Sequence, residues 1–146
     1  MTLTNHMLAG SLLARLFPLP IALPLAFLSH FVLDALPHYG YRTFDERAKH
    51  IPTLFAVVIV DVIVAGLLVA WLISHGHFSW LLAGVVAFSP DLLWVYRFIF
   101  EEKFGRIKPN EGGRFVQFHA GLQKYEFRFG WLLEMGVAAS LFAFVR

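Results

Sequence analysis

One stretch of this sequence combines polar groups with a spacing that could do chemistry. From Ser29 to His38 the chain reads Ser-His-Phe-Val-Leu-Asp-Ala-Leu-Pro-His, and His30, Asp34 and His38 follow one another at intervals of four residues. On an α-helix this interval places side chains about 40° apart, on one face. Two imidazoles and a carboxylate are costly to bury among apolar residues unless they pair or bind a cation. The stretch therefore predicts part of a metal site.

The composition is typical of a membrane protein. Of the 146 residues, 58% are hydrophobic and 15% are charged, and the mean hydropathy is +0.66. A soluble domain has about 25% charged residues. The absence of Cys excludes disulfides and thiolate ligands. The net charge of +2 comes from clustered Lys and Arg residues, so we expect no direct binding of nucleic acid.

Apolar runs and helix signals predict an all-α integral membrane bundle of about five helices plus one interfacial amphipathic helix. Prolines 18, 20 and 24 separate the first two helices, which form either two short spans or a re-entrant hairpin. Pro90 predicts a break in the fourth helix. The predicted helices of this single domain, 1–146, cover residues 5–17, 23–36, 51–73, 78–100, 114–128 (interfacial) and 130–145.

The Lys and Arg residues predict the orientation of these helices, because cytoplasmic loops carry most of the positive charge. They concentrate in 39–50 and 101–128, whereas the connection 74–79 has none. The first two segments and the N-terminus are therefore expected in the cytoplasm. The distance of each residue from the cytoplasmic end of its helix follows from a rise of about 1.5 Å per residue. By this measure of helix depth, six candidate residues lie in or beside the cytoplasmic half of the bilayer: His6, His30, Asp34, Asp61, Asp91 and His119.

Imidazole and carboxylate ligands without sulfur suit a divalent ion, and such catalytic sites keep a position for water. Zinc is the expected ion, with manganese and iron as alternatives. Asp61 and His119 are the predicted catalytic residues, acting as general acid or base. The predicted metal ligands are His6, His30, Asp34, His38 and Asp91.

Several of these residues carry a resemblance to a known family. His6, the segment from Ser29 to His38, Ser89-Pro90-Asp91 and His119 resemble small bacterial inner-membrane proteins described as membrane-bound metal-dependent hydrolases, one branch of which is described as LexA-binding. The spacing is more distantly similar to zinc-dependent phospholipase C. The resemblance is clear over 4–40 and weaker over 87–126. It implies a multi-pass hydrolase of the inner membrane, surrounded by membrane lipids, with a phosphoester or lipid-derived substrate.

Two functions of other classes remain open from the sequence. The first is a non-enzymatic membrane scaffold or subunit, in which the His/Asp cluster is structural or binds an ion. The second is a small ion-conducting or proton-conducting protein that uses Asp61 and Asp91. Conduction requires polar residues that continue toward 74–79, and the sequence has few there. A protein partner, the oligomeric state, the number of metal ions and the exact substrate stay open.

Overall fold

The computed structural model of this protein describes residues 1–41, 49–97, 113–122 and 125–146. The described residues are mainly helical, so the predicted all-α class is confirmed, with one short strand pairing in addition. In chain order the elements are α1 (Leu3–Leu16), α2 (Leu19–Asp34), β1 (His38–Tyr39), α3 (Ile51–Ser74), α4 (Phe78–Phe88), a 3₁₀ turn (Ser89–Asp91), α5 (Leu92–Arg97), α6 (Arg114–Leu122), β2 (Glu126–Phe127) and α7 (Gly130–Val145).

Helix α1 lies at the centre of the fold. Eight consecutive residues, from Thr4 to Ser11, are buried, so this part of the helix is enclosed on all sides, and α1 contacts α2, α3, α4 and α7. Its closest approach is to α4. A Cβ atom at Gly10 would collide with the carbonyl oxygen of Ala83, and one at Gly84 would lie 3.0 Å from the carbonyl oxygen of Met7. Small residues thus let the two backbones touch, as they do in helix pairs within membranes.

The start of α2 differs from the prediction. The prolines were expected to delay this helix until residue 23, but it begins at Leu19, with Pro20 in its first turn and Pro24 inside. A proline in the first turn lacks only an N–H that has no partner within the helix, so it does not prevent helix formation there. The helix ends at Asp34, shortly before Pro37, close to the predicted end.

The break that Pro90 predicts in the fourth helix is confirmed. Helix α4 ends at Phe88, the 3₁₀ turn follows, and α5 begins at Leu92. The 3₁₀ turn contacts α2, so the break brings Asp91 toward the polar residues of that helix. The predicted end of this span, 98–100, lies outside the described residues.

The interfacial helix is shorter than predicted, and strands that were not predicted accompany it. Helix α6 ends at Leu122, residues 123–124 lie outside the described residues, and β2 then pairs in parallel with β1, His38 opposite Glu126. Gly130, the first residue of α7, lies directly against β1. A Cβ at this position would collide with the backbone of His38, so the close approach requires glycine. The bounds of α7 agree with the prediction.

Among the described residues, α3 is the one helix long and apolar enough to cross a membrane. Three shorter apolar segments accompany it: Leu19–Asp34, Phe78–Asp91 and Gly130–Val145. The apolar cores of the fold are small. One surrounds Met7, Leu8, Leu68 and Leu72, and a second consists of alanines of α2 and α4.

Candidate metal centre

Four of the predicted site residues converge between α2, α6 and the 3₁₀ turn. One nitrogen or carboxylate oxygen from each lies within 4.8 Å of the others, in a group formed by His30, Asp34, Asp91 and His119. The first two stand one helical turn apart on α2, so local spacing suffices to place them together. The break at Pro90 supplies Asp91, and α6 supplies His119. This group could hold a metal ion.

The nitrogen–nitrogen and nitrogen–oxygen distances within the group are comparable to those between the ligands of a single ion. The Nε2 atoms of His30 and His119 lie 3.0 Å apart, and they lie 3.2 and 2.9 Å from Oδ2 of Asp34. Oδ1 of Asp91 lies 3.6 Å from Nε2 of His30 and 3.8 Å from Nε2 of His119. Ligands placed 2.0–2.1 Å from a tetrahedral zinc ion are about 3.3 Å apart. The donor types and their spacing therefore fit a divalent ion.

A backbone contact fixes the orientation of His30. Its Nδ1 donates to the carbonyl oxygen of Ala87 on α4, at 3.0 Å. Because that nitrogen then carries the proton, Nε2 presents its lone pair to the centre of the group. Histidines that bind metals are commonly oriented in this way, by a carbonyl or carboxylate on the other ring nitrogen.

The group is enclosed except at Asp91. The side chains of His30 and His119 have no exposed surface, and that of Asp34 is 2% exposed, whereas that of Asp91 is 31% exposed. Water or a small substrate can therefore approach from the side of Asp91. A catalytic metal site needs an open position of this kind.

His6 on α1 lies beside this group. Its ring stacks on that of His30, with centroids 4.1 Å apart and an interplanar angle of 23°. Its Nε2 lies 3.2 Å from Oδ1 of Asp34 and 3.8 Å from Oδ2 of Asp91. The α-ammonium group of Met1 lies 2.6 Å from the same Asp34 oxygen, a contact that the side-chain pattern of the sequence could not indicate.

His38 lies outside the group of four. Because α2 ends at Asp34, the four-residue spacing no longer carries His38 onto the same helical face. Its Nδ1 donates to the carbonyl oxygen of Leu36 at 2.8 Å, and its Nε2 lies 3.9 Å from Oε1 of Glu126. The structure therefore places His38 with the strand pairing, and its assignment as a metal ligand stays a prediction.

Asp61 holds the first turn of α1. Its Oδ2 accepts from the backbone N–H of Leu3 at 2.7 Å, and its Oδ1 accepts from the backbone N–H of Thr4 at 3.1 Å and from the Thr4 hydroxyl at 2.6 Å. On the other side, Oε1 of Glu134 accepts from the N–H of Thr2 at 3.1 Å. Carboxylates of α3 and α7 thus satisfy N–H groups that have no partner within α1. The catalytic role predicted for Asp61 stays a prediction.

Replacing Asp61 by Asn is expected to lower stability without removing metal. The amide has one acceptor oxygen instead of two and no charge to complement the helix N-terminus, so the loss is about 0.5–2 kcal/mol. Thermal unfolding in detergent and elemental analysis measure the two effects separately. Loss of metal at an unchanged melting temperature would instead place Asp61 in the site.

Comparison of this chain with protein-family models, with curated proteins and with solved structures gives no match. Any statement of function therefore depends on the residues of the centre and on the surroundings that the fold gives them.

Proposed function

We propose that this protein is a membrane-bound metal-dependent hydrolase that acts on a phosphoester, including one derived from a lipid. One observation carries the proposal: two imidazole nitrogens and two carboxylate oxygens converge within 4.8 Å of one another. The resemblance seen in the sequence agrees with it. Zinc is the first candidate ion because this donor set suits it, with manganese or iron as alternatives.

The residues of the centre differ in solvent exposure, and this difference suggests a different chemical role for each. A divalent ion bound there would act as a Lewis acid and would activate water at neutral pH. Asp34, which is enclosed, supplies the negative charge that retains a cation. Asp91, which is partly exposed, can accept a hydrogen bond from a water molecule that enters from its side. The contact with Ala87 holds the ring of His30 with Nε2 toward the centre.

The surface of the molecule supports a location in a membrane. Large apolar side chains of α3 and α7 are more than half exposed, among them Val60, Leu67 and Met135. The interior instead contains ionisable and polar residues of α1, α2 and α6. Charged residues within membranes face the interior of the bundle in the same way. Together with the Lys and Arg pattern, this supports a cytoplasmic N-terminus and a centre in the cytoplasmic half of the bilayer. The bacterial inner membrane as the location is what the resemblance implies.

A non-enzymatic scaffold is the second candidate, and one observation favours it. The α-ammonium group of Met1 lies 2.6 Å from Oδ1 of Asp34, and Nε2 of His119 lies 2.9 Å from its Oδ2. Protein groups by themselves therefore satisfy this buried charge. In this interpretation the cluster fixes the packing of the helices and needs no ion.

The test compares wild type with His30→Ala and, as a matched control, with His75→Ala, since His75 is an exposed histidine at the far end of α3. Each protein is purified in detergent and assayed for bound metal and for hydrolysis of a chromogenic phosphodiester and of phospholipid micelles. We expect bound metal in wild type, activity that chelators abolish and zinc or manganese restores, and a loss of about 100-fold or more in His30→Ala alone. A wild-type protein that neither contains nor rebinds metal would favour the scaffold.

A further inference from the structure

The two ring nitrogens of His6 are buried, and among the described residues neither makes a hydrogen bond of acceptable geometry, although Nε2 lies 3.2 Å from Oδ1 of Asp34. The side chain has no exposed surface. A buried polar group without a hydrogen bond is destabilising, so each such group in a native fold calls for an explanation. Its Nε2 lies 3.2 and 3.8 Å from oxygens of two carboxylates, a position suited to a metal ligand.

Both carboxylates present one oxygen to His6 and the other to the imidazole pair. In Asp34, Oδ1 faces Nε2 of His6 at 3.2 Å, while Oδ2 faces His30 and His119. In Asp91, Oδ2 faces Nε2 of His6 at 3.8 Å, while Oδ1 faces His30 and His119. The distances on the His6 side fall within the range of those on the other side. This division of oxygens is the arrangement of two carboxylates that bridge a pair of ions.

The stacking of His6 on His30 sets the spacing of such a pair. The two rings are nearly parallel, with centroids 4.1 Å apart, and both direct Nε2 at the same two carboxylates. Ions held by these nitrogens would therefore be separated by about the stacking distance. Two-metal hydrolytic sites have ions about 3.5–4 Å apart, and the geometry agrees with this separation.

We infer that the centre binds a second divalent ion, held by His6 and by Oδ1 of Asp34 and Oδ2 of Asp91. The inference rests on the proposed function, because His30 and His119 with the opposite oxygens hold the first ion. The α-ammonium group of Met1 lies against Oδ1 of Asp34, and an ion bound at this oxygen would displace it. Two ions at this spacing suit displacement at phosphorus, where they stabilise the attacking and the leaving oxygen.

The test counts ions per chain after equilibrium dialysis of the full-length protein against zinc or manganese. Wild type and the control His75→Ala are expected to bind two ions, and His6→Ala one, a twofold drop. Electron paramagnetic resonance of the manganese form is an independent measurement. A pair bridged by carboxylates gives an exchange-coupled spectrum in wild type, and His6→Ala is expected to give the spectrum of an isolated ion.

Because His6 is fully buried, His6→Ala could fail to fold, and His6→Asn serves as a second, more conservative variant. The manganese spectrum of wild type tests for the ion pair without any substitution. One ion per chain in wild type, with an uncoupled manganese spectrum, overturns the second site and leaves the proposed function standing. No ion in wild type overturns both. A folded His6 variant that keeps two ions, or that loses both, overturns the assignment of His6 to the second ion.

Discussion

Asp34→Asn is expected to abolish metal binding while the helices stay folded. The substitution keeps the size of the side chain but removes the charge that balances a divalent cation. Loss of an outer-shell partner weakens metal binding about 10–100-fold, and loss of a carboxylate that contacts His30, His119 and His6 should exceed this. The fold should survive because the amide oxygen still accepts hydrogen bonds and the backbone bonds of the helices do not depend on the centre.

The measurement is bound zinc and manganese by elemental analysis, together with thermal unfolding in detergent. Asp61→Asn is the matched control, since it makes the same chemical change in another carboxylate that contacts α1 and is expected to keep the metal. Stoichiometric metal in Asp34→Asn would refute the assignment of Asp34 as a ligand. An unfolded Asp34→Asn protein would show that the carboxylate is needed for the fold itself.

Gly10→Val is expected to give the largest loss of stability of the substitutions considered. Its Cβ would meet the carbonyl group of Ala83 and would lie 2.8 Å from the Cβ of Ala87. Backbone atoms cannot move aside as the end of a flexible side chain can, so α1 and α4 must separate. Overpacking costs about 1–3 kcal/mol, and separation of these helices would also shift His6, one turn before Gly10, relative to Asp91.

Thermal unfolding and metal content of Gly10→Val check this expectation, with Gly66→Val as the control. Gly66 lies in the middle of α3, and a Cβ there would meet nothing within 4 Å, so both substitutions have the same effect on helix propensity and differ only in packing. We expect a melting temperature about 3–10 °C lower for Gly10→Val and less bound metal. Equal stability of the two variants would contradict the close approach of α1 and α4.

Elements with strong local signals agree with their sequence predictions. The predicted bounds 130–145 match α7, the prediction 51–73 differs from α3 by one residue, and Pro90 marks the break after α4. Apolar length and proline position act within one segment, so the sequence suffices for them. The start of α2 was misplaced because Pro20 falls in the first turn, where a helix tolerates proline, and because Pro24 is accommodated inside the helix. The strands β1 and β2 have two residues each, too few to show any period.

In the site, too, arrangements within one helix were predictable from the sequence, and contacts between helices were not. The sequence by itself determined that His and Asp side chains would be costly to bury singly, and the four-residue spacing on α2 determined that His30 and Asp34 share one face. Helix depth also predicted that His6, Asp91 and His119 lie at the same level of the bilayer. Only the tertiary structure decided which of the candidates contact His30 and Asp34 and which do not. Because α1 packs against α3, the carboxylate of Asp61 accepts hydrogen bonds from the N-terminus of α1. Because α2 ends at Asp34, His38 lies near Glu126. Contacts between segments depend on how the helices pack, and residue spacing within one segment carries no information about that.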